Sequence, residues 1–157
     1  MAATPAVRVL ERARVAHTLH SYDPEHPADQ GHGEAAVAAL GADPRRVLKT
    51  LLARVDGALT VAVVPVSGSL DLKALAAAVG GRRAVMADPA DAERTTGYVL
   101  GGISPLGQRK ALPTVVDESA LTFDTVLVSA GRRGLQVELA PADLVRLTRA
   151  RTAPVGR

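Results

Sequence analysis

The sequence predicts an α+β fold in which helices pack outside a mixed β-sheet. Three observations lead there. Strand-like and helix-like stretches follow one another without regular βαβ alternation, so a doubly wound parallel sheet is not expected. Two apolar runs, 47–55 and 59–66, are joined by Asp56-Gly57, a dipeptide that favours a tight antiparallel hairpin. The 157 residues have the usual size of one domain, and with 47% apolar but only 2% aromatic residues a single core must be built from Val, Leu and Ala.

Taken in order, Thr4-Pro5 supplies an N-cap and a proline at the first helical position, and Val7 and Leu10, with Ala13 beside them, fall on one face of a short amphipathic helix. Residues 17–22 alternate weakly and read as a strand. The Pro/His/Asp stretch 23–33 reads as a long loop of the kind that carries function more often than scaffold. Glu34 to Leu40 is an Ala-rich helix stopped by Gly41, and Asp43-Pro44 starts a further helical turn. After the 47–66 hairpin, Ser69 or Asp71 caps a helix running through Val79 to Gly80-Gly81. A short strand at 84–86 leads to Asp88-Pro89 and a helix ending near Gly97. Strands at 113–117 and 125–129 precede a turn at Gly131-Arg132-Arg133-Gly134. A strand from Leu135 to Leu139 and a helix from Pro141 to about Ala150 close the pattern, with the tail after Arg151 expected to fray. The chain shows no repeat or linker, so residues 1–157 are expected to form one domain.

The net charge is +3 and the sequence pI about 9.8, which permits an anionic partner without demanding one. The few aromatics disfavour a stacking platform for bases. With no cysteine, disulfides, thiolate metal sites and a protein-borne Cys nucleophile are all excluded. No apolar run approaches a membrane span of ~18 residues, so a cytoplasmic protein with no membrane partner is the default expectation.

Lys49 stands out because the chain uses 16 Arg but only 3 Lys, and this one lies within the apolar run Val47-Leu48-Lys49-Thr50-Leu51-Leu52-Ala53. A rotatable ammonium suits chemistry or phosphate contact where a planar guanidinium would not fit. A lysine snorkelling from a half-buried strand gives the same pattern. The second candidate is Gly97 to Lys110, where adjacent glycines before a proline let backbone amides approach a ligand; a tight loop alone would also explain them. Gly102-x4-Gly107 is followed by Gln108-Arg109, not by Lys and Ser/Thr, so it is no phosphate-binding P-loop.

Gly31-His32-Gly33-Glu34-Ala35-Ala36 fits the loose dinucleotide fingerprint but lacks a preceding strand. His17, His20, His26 and His32 fit no zinc spacing, and no metal is expected. Ser104 lies outside a nucleophile elbow. Arg82-Arg83 and Arg132-Arg133 read as solvated turns, with phosphate contact as the lesser alternative.

Leu48-Lys49-Thr50-Leu51-Leu52, Ala87-Asp88-Pro89, Thr96-Gly97-Tyr98 and Gly101-Gly102-Ile103-Ser104-Pro105-Leu106-Gly107, in this order, resemble the YbaK/EbsC family, bacterial relatives of the prolyl-tRNA synthetase editing domain. The resemblance runs from Thr4-Pro5-Ala6-Val7 to Val137-Glu138-Leu139 and is closest to the Cys-tRNA(Pro) deacylase branch. It implies a mixed, partly barrel-like sheet surrounded by helices, and cofactor-free hydrolytic clearance of mischarged aminoacyl-tRNA in trans. Ala-tRNA(Pro), another misacylated tRNA, or a non-catalytic module binding the tRNA acceptor end or prolyl-tRNA synthetase are the alternatives.

By resemblance Lys49 matches the family's essential lysine. Gly101 to Pro105, with Gly102, Ile103 and Ser104 between, matches the G-x-x-x-P loop lining the pocket for the aminoacylated end, and Tyr22 matches a pocket tyrosine. The deacylase pattern has Phe where His32 stands and Asp where Gln136 stands, so these two substrate-binding positions bear on preference. The cysteinyl branch implies attack by the substrate's own thiol.

Overall fold

The computed structural model describes residues 3–24 and 32–157, the side chain of His32 excepted. The elements run α1 (Pro5–Ala13), β1 (His17–Ser21), α2 (His32–Leu40), β2 (Leu48–Val55), β3 (Ala58–Pro65), α3 (Leu72–Ala78), β4 (Ala84–Met86), α4 (Pro89–Thr96), β5 (Thr114–Asp117), a 3₁₀ turn (Glu118–Thr122), β6 (Val126–Arg132), β7 (Leu135–Leu139), α5 (Pro141–Thr148) and β8 (Arg151–Ala153). This is the expected α+β mixture. The strands form two sheets, ordered β1-β7-β6 and β4-β2-β3-β5-β8. Among the described residues a single parallel bridge, Val47 to Leu127, joins them, so the sheets touch without closing into a barrel.

Local chemistry sets most element ends. The Thr4 hydroxyl accepts the Val7 N–H at 3.2 Å, and Asp71 and Asp88 cap α3 and α4 in the same way. Helix α1 buries Ala6, Val7 and Leu10, while Ala13 is exposed, so its apolar face ends one turn earlier than expected. Asp56 and Gly57 take φ of 49° and 86°, the left-handed pair that a two-residue hairpin requires. Asp43-Pro44 opens only a turn, closed by Arg46 N–H to Asp43 O at 3.0 Å.

Strand β3 lies between β2 and β5, and its last six residues are all buried, which its unbroken Val/Ala run suits. It pairs antiparallel with β2 but parallel with β5, which pairs parallel with β8. The tail is therefore pinned, not frayed. Asp117, 6% exposed, accepts the N–H groups of Val155 and Gly156 at 2.9 and 2.8 Å, and Arg157 exchanges two backbone bonds with Ser69.

The β6–β7 connection also differs from expectation. A bulge between Ser129 and Arg132 carries β6 on to Arg132, and the turn itself falls at Arg133-Gly134. The bulge needs Gly131, whose φ is 104° and whose added Cβ would lie 2.8 Å from Cε1 of Tyr98.

Candidate active site

The site forms where β2 lacks a neighbour. Peptide groups of alternate residues point to opposite edges of a strand, and Val66 N–H to Val47 O turns the odd-numbered residues of β2 toward β3. Leu52 O accepts Ala87 N–H at 3.0 Å on the other edge, and β4 covers that edge only from Ala53 to Val55. Between this cover and the Val47–Leu127 bridge, the edge at Leu48 to Leu51 faces a cavity of about 390 Å³.

Four parts of the chain wall it: Gly33 and Glu34 at the start of α2, Leu48 to Leu51 of β2, Leu100, Gly101 and Ile103 of the following loop, and Ser129 and Gln136 of the smaller sheet. Leu48, Leu51, Leu100 and Ile103 make the walls apolar, and a few polar groups project among them. Such a composition and size are usual for a small-ligand pocket.

Lys49, Gly101, Ile103 and Gln136 thus come together from three distant parts of the chain. Lys49 is half-buried on the second residue of β2. Gln136 is 6% exposed, and its Oε1 has no hydrogen-bond partner among the described residues; the same holds for the buried Oγ1 of Thr50. A buried acceptor without a donor costs stability.

Gly102, Ser104 and Pro105 are buried behind this lining and hold the loop. A Cβ on Gly102 would lie 2.7 Å from Arg132 Cα, so the loop rests directly on the β6–β7 turn. Ser104 Oγ accepts Leu106 N–H at 3.2 Å, its carbonyl accepts Gln108 Nε2 at 3.0 Å, and the Tyr98 hydroxyl donates to Leu106 O at 2.7 Å. Burial pushes the Tyr98 phenol up to about 12. Tyr22 packs instead with Ala36, Val47, Val66 and Leu127 under α2. The side chain of His32, like His26, lies outside the described residues.

Beside Gln136, and on the same face of β7, Glu138 gathers three donors: Thr125 Oγ1 at 2.5 Å, His20 Nε2 at 2.9 Å and Arg46 Nη2 at 3.2 Å. The Thr125 hydroxyl first, then His20, holds its carboxyl below the usual range, against the opposing effect of burial. His20 stands directly across from Gln136, so this cluster buttresses the cavity's floor. Among the described residues no three His, Asp or Glu side chains are placed to hold a metal ion.

Sequence reasoning passed over Glu34, Ser129 and Thr50 as lining residues. Ser129 faces Gln136 only through the β6–β7 register, which the bulge displaces from a simple hairpin count. Glu34 reads from sequence as an ordinary acid in the first turn of a helix.

Residues 29–147 match the aminoacyl-tRNA editing domain family. The chain belongs to this family. It is 38% identical over 154 residues, 97% of this chain and 92% of the other, to the candidate Cys-tRNA(Pro)/Cys-tRNA(Cys) deacylase EbsC of Enterococcus faecalis. It is 31% identical over 122 residues, 74% of this chain and 73% of the other, to the multifunctional Ser/Thr-tRNA deacylase ProXp-y of Escherichia coli K12. A crystal structure of a candidate trans-editing enzyme for prolyl-tRNA synthetase superposes with a TM-score of 0.81 at 25% identity, covering 100% of this chain and 99% of that one. The family and the superposition agree with the mixed α+β architecture, and with the YbaK/EbsC resemblance carried by Lys49 and the 101–107 loop.

Proposed function

We propose that this protein is a trans-editing deacylase that hydrolyses the ester of mischarged Cys-tRNA(Pro). The observation that carries the reading is the cavity at the open edge of β2, where Lys49 and the Gly101 loop meet in a chain of the editing-domain family. Its volume suits an aminoacylated terminal nucleoside rather than a folded RNA element, so the acceptor end enters and the rest of the tRNA stays outside.

An aminoacyl ester is already reactive, so orientation and charge stabilisation at the carbonyl suffice. The substrate's thiol attacks its own carbonyl carbon; the C–S bond forms as the ester C–O bond breaks, and the thiol proton ends on the departing ribose hydroxyl. Water then opens the thiolactone. This route asks for no nucleophile from a chain without cysteine. The Lys49 ammonium favours the thiolate and steadies the terminal ribose, and the Gly101 backbone lies open to the ester. The Gln136 side chain lines the cavity, and its amide, whose Oε1 has no partner among the described residues, turns to accept from the aminoacyl group.

That acceptor also supports a second reading within the class. An amide oxygen in place of a carboxylate suits a hydroxyl-bearing or small aminoacyl group, and the Escherichia coli relative is named for Ser and Thr esters. Prolyl-tRNA synthetase enters as a partner on the name of the structural neighbour alone.

The test is deacylation of Cys-, Ala- and Ser-charged tRNA(Pro) by wild type and Lys49→Ala, with folding checked by circular dichroism. Loss of about 10²–10³-fold in turnover by a folded Lys49→Ala variant is expected, the size of losing one preorganised electrostatic group. Undiminished turnover by that variant sinks the assignment of Lys49, and turnover of only the Ala or Ser ester moves the substrate.

A further inference from the structure

We infer that Arg132-Arg133, where β6 ends and the turn to β7 begins, is a lip on which phosphates of the tRNA acceptor end rest while its acylated terminus occupies the cavity. The inference rests on the function proposed above. Leu100 fixes the place: it lines the cavity yet is 38% exposed, so it forms wall and rim at once. Its carbonyl accepts Nε of Arg133 at 2.8 Å, which holds that guanidinium at the rim. The terminal Nη groups of Arg133 and the whole side chain of Arg132 have no hydrogen-bond or ion-pair partner among the described residues, and both residues are exposed.

Five other arginines, Arg45, Arg46, Arg54, Arg94 and Arg146, each meet a carboxylate, whereas these two have none among the described residues. The turn is also held in place, because Gly102 brings the lining loop onto the backbone of Arg132 and Arg133. A planar fork of N–H donors matches phosphate oxygens. An aminoacyl group esterified to the terminal ribose necessarily draws the last phosphates of the strand to the cavity's rim.

The molecule contains its own comparison. Arg82 and Arg83 form a second exposed pair without ion pairs among the described residues, but they precede β4 and sit by Asp56, which accepts both their backbone N–H groups at 3.0 Å. The Ala84 end of β4, next to Arg83, lies opposite Val55, six residues or roughly 20 Å along β2 from Lys49.

The experiment is the affinity of the full chain for uncharged tRNA, read by fluorescence anisotropy across a salt series, for wild type, Arg132→Gln/Arg133→Gln and Arg82→Gln/Arg83→Gln. Loss of two phosphate contacts on a single-stranded end lowers the salt slope by about 1.4, so between about 50 and about 200 mM salt wild type should lose about sevenfold more affinity than the Arg132/Arg133 variant. The Arg82/Arg83 variant should follow wild type. An Arg132/Arg133 variant with the wild-type slope, or an equal effect of the other pair, overturns the inference. So does an equal loss by the Arg132/Arg133 variant on a short aminoacyl-adenosine, which has no upstream phosphates and would instead report a disturbed Leu100 loop. Because uncharged tRNA requires no turnover, a wild type that binds in this way but cleaves no ester would refute the proposed reaction and leave the lip standing.

Discussion

Replacing Gly102 by alanine should destabilise the protein through a single contact. Gly102 does not have a positive φ, so alanine meets no backbone strain there. What it meets is main chain: its Cβ would lie 2.7 Å from Cα and 2.8 Å from C of Arg132, and 2.9 Å from N of Arg133. Ordinary contact begins near 3.4 Å, so the hairpin turn or the loop must retreat by most of an ångström, and neither is a flexible side-chain end. On one side the loop is held by the Tyr98–Leu106 bond and by Gly107, whose own Cβ would lie 2.7 Å from the Pro5 carbonyl.

Overpacking of this kind costs about 1–3 kcal/mol. For a chain of this length that is a fall of roughly 2–12 °C in the unfolding temperature. Thermal unfolding by circular dichroism measures it, with Gly80→Ala as the comparison. Gly80 has φ of 76° but nothing within 4 Å, so that variant shows the cost of backbone conformation without a clash. Equal unfolding temperatures for Gly102→Ala and wild type would mean that the loop does not rest on the turn as described, and the lip at Leu100 and Arg133 would lose its support.

Four further outcomes are expected. Gln136→Leu should raise the unfolding temperature, since it removes a buried acceptor without a partner, while lowering kcat/KM about tenfold; a gain in both would separate Gln136 from substrate. Glu138 titrates lower folded than unfolded, so its contribution is present above the unfolded glutamate value near 4.5 and is lost as pH falls through the lower folded value. Acid unfolding curves for Glu138→Gln should therefore be flatter below that pH than those of wild type. Tyr98 is raised to about 12, so its contribution holds below about pH 10 and fades as pH rises toward 12; Tyr98→Phe should remove that alkaline slope and cost about 1–2 kcal/mol near neutrality, measured by denaturant unfolding. Deleting residues 151–157 should cost at least about 3 kcal/mol in the same measurement, because it removes fully buried Val155 and two backbone donors to Asp117.

Much of the chain was legible wherever a few neighbouring residues settle the matter. Thr4-Pro5 and Asp88-Pro89 start helices because a side-chain acceptor and a preset φ act within one turn. Asp56-Gly57 forms the hairpin because both positions tolerate positive φ. Lys49 could be singled out from composition and pattern, but its alternation in β2 could not distinguish a cavity from solvent.

The remainder depends on partners far away in the chain. Parallel pairing of β5 with β3 and β8 leaves no periodic trace beyond three or four buried residues, so the tail read as loose until Asp117 and Val155 were seen to hold it. The cavity exists because β4 is too short to cover β2, and the length of one strand does not reveal which edge it will cover. Arg132-Arg133 and Arg82-Arg83 are the same dipeptide, both exposed at the end of a strand. Only the contact of Gly102 and the Leu100 carbonyl with the former sets it at the mouth of the site, because the pair's surroundings come from a loop some thirty residues away and not from its own neighbours.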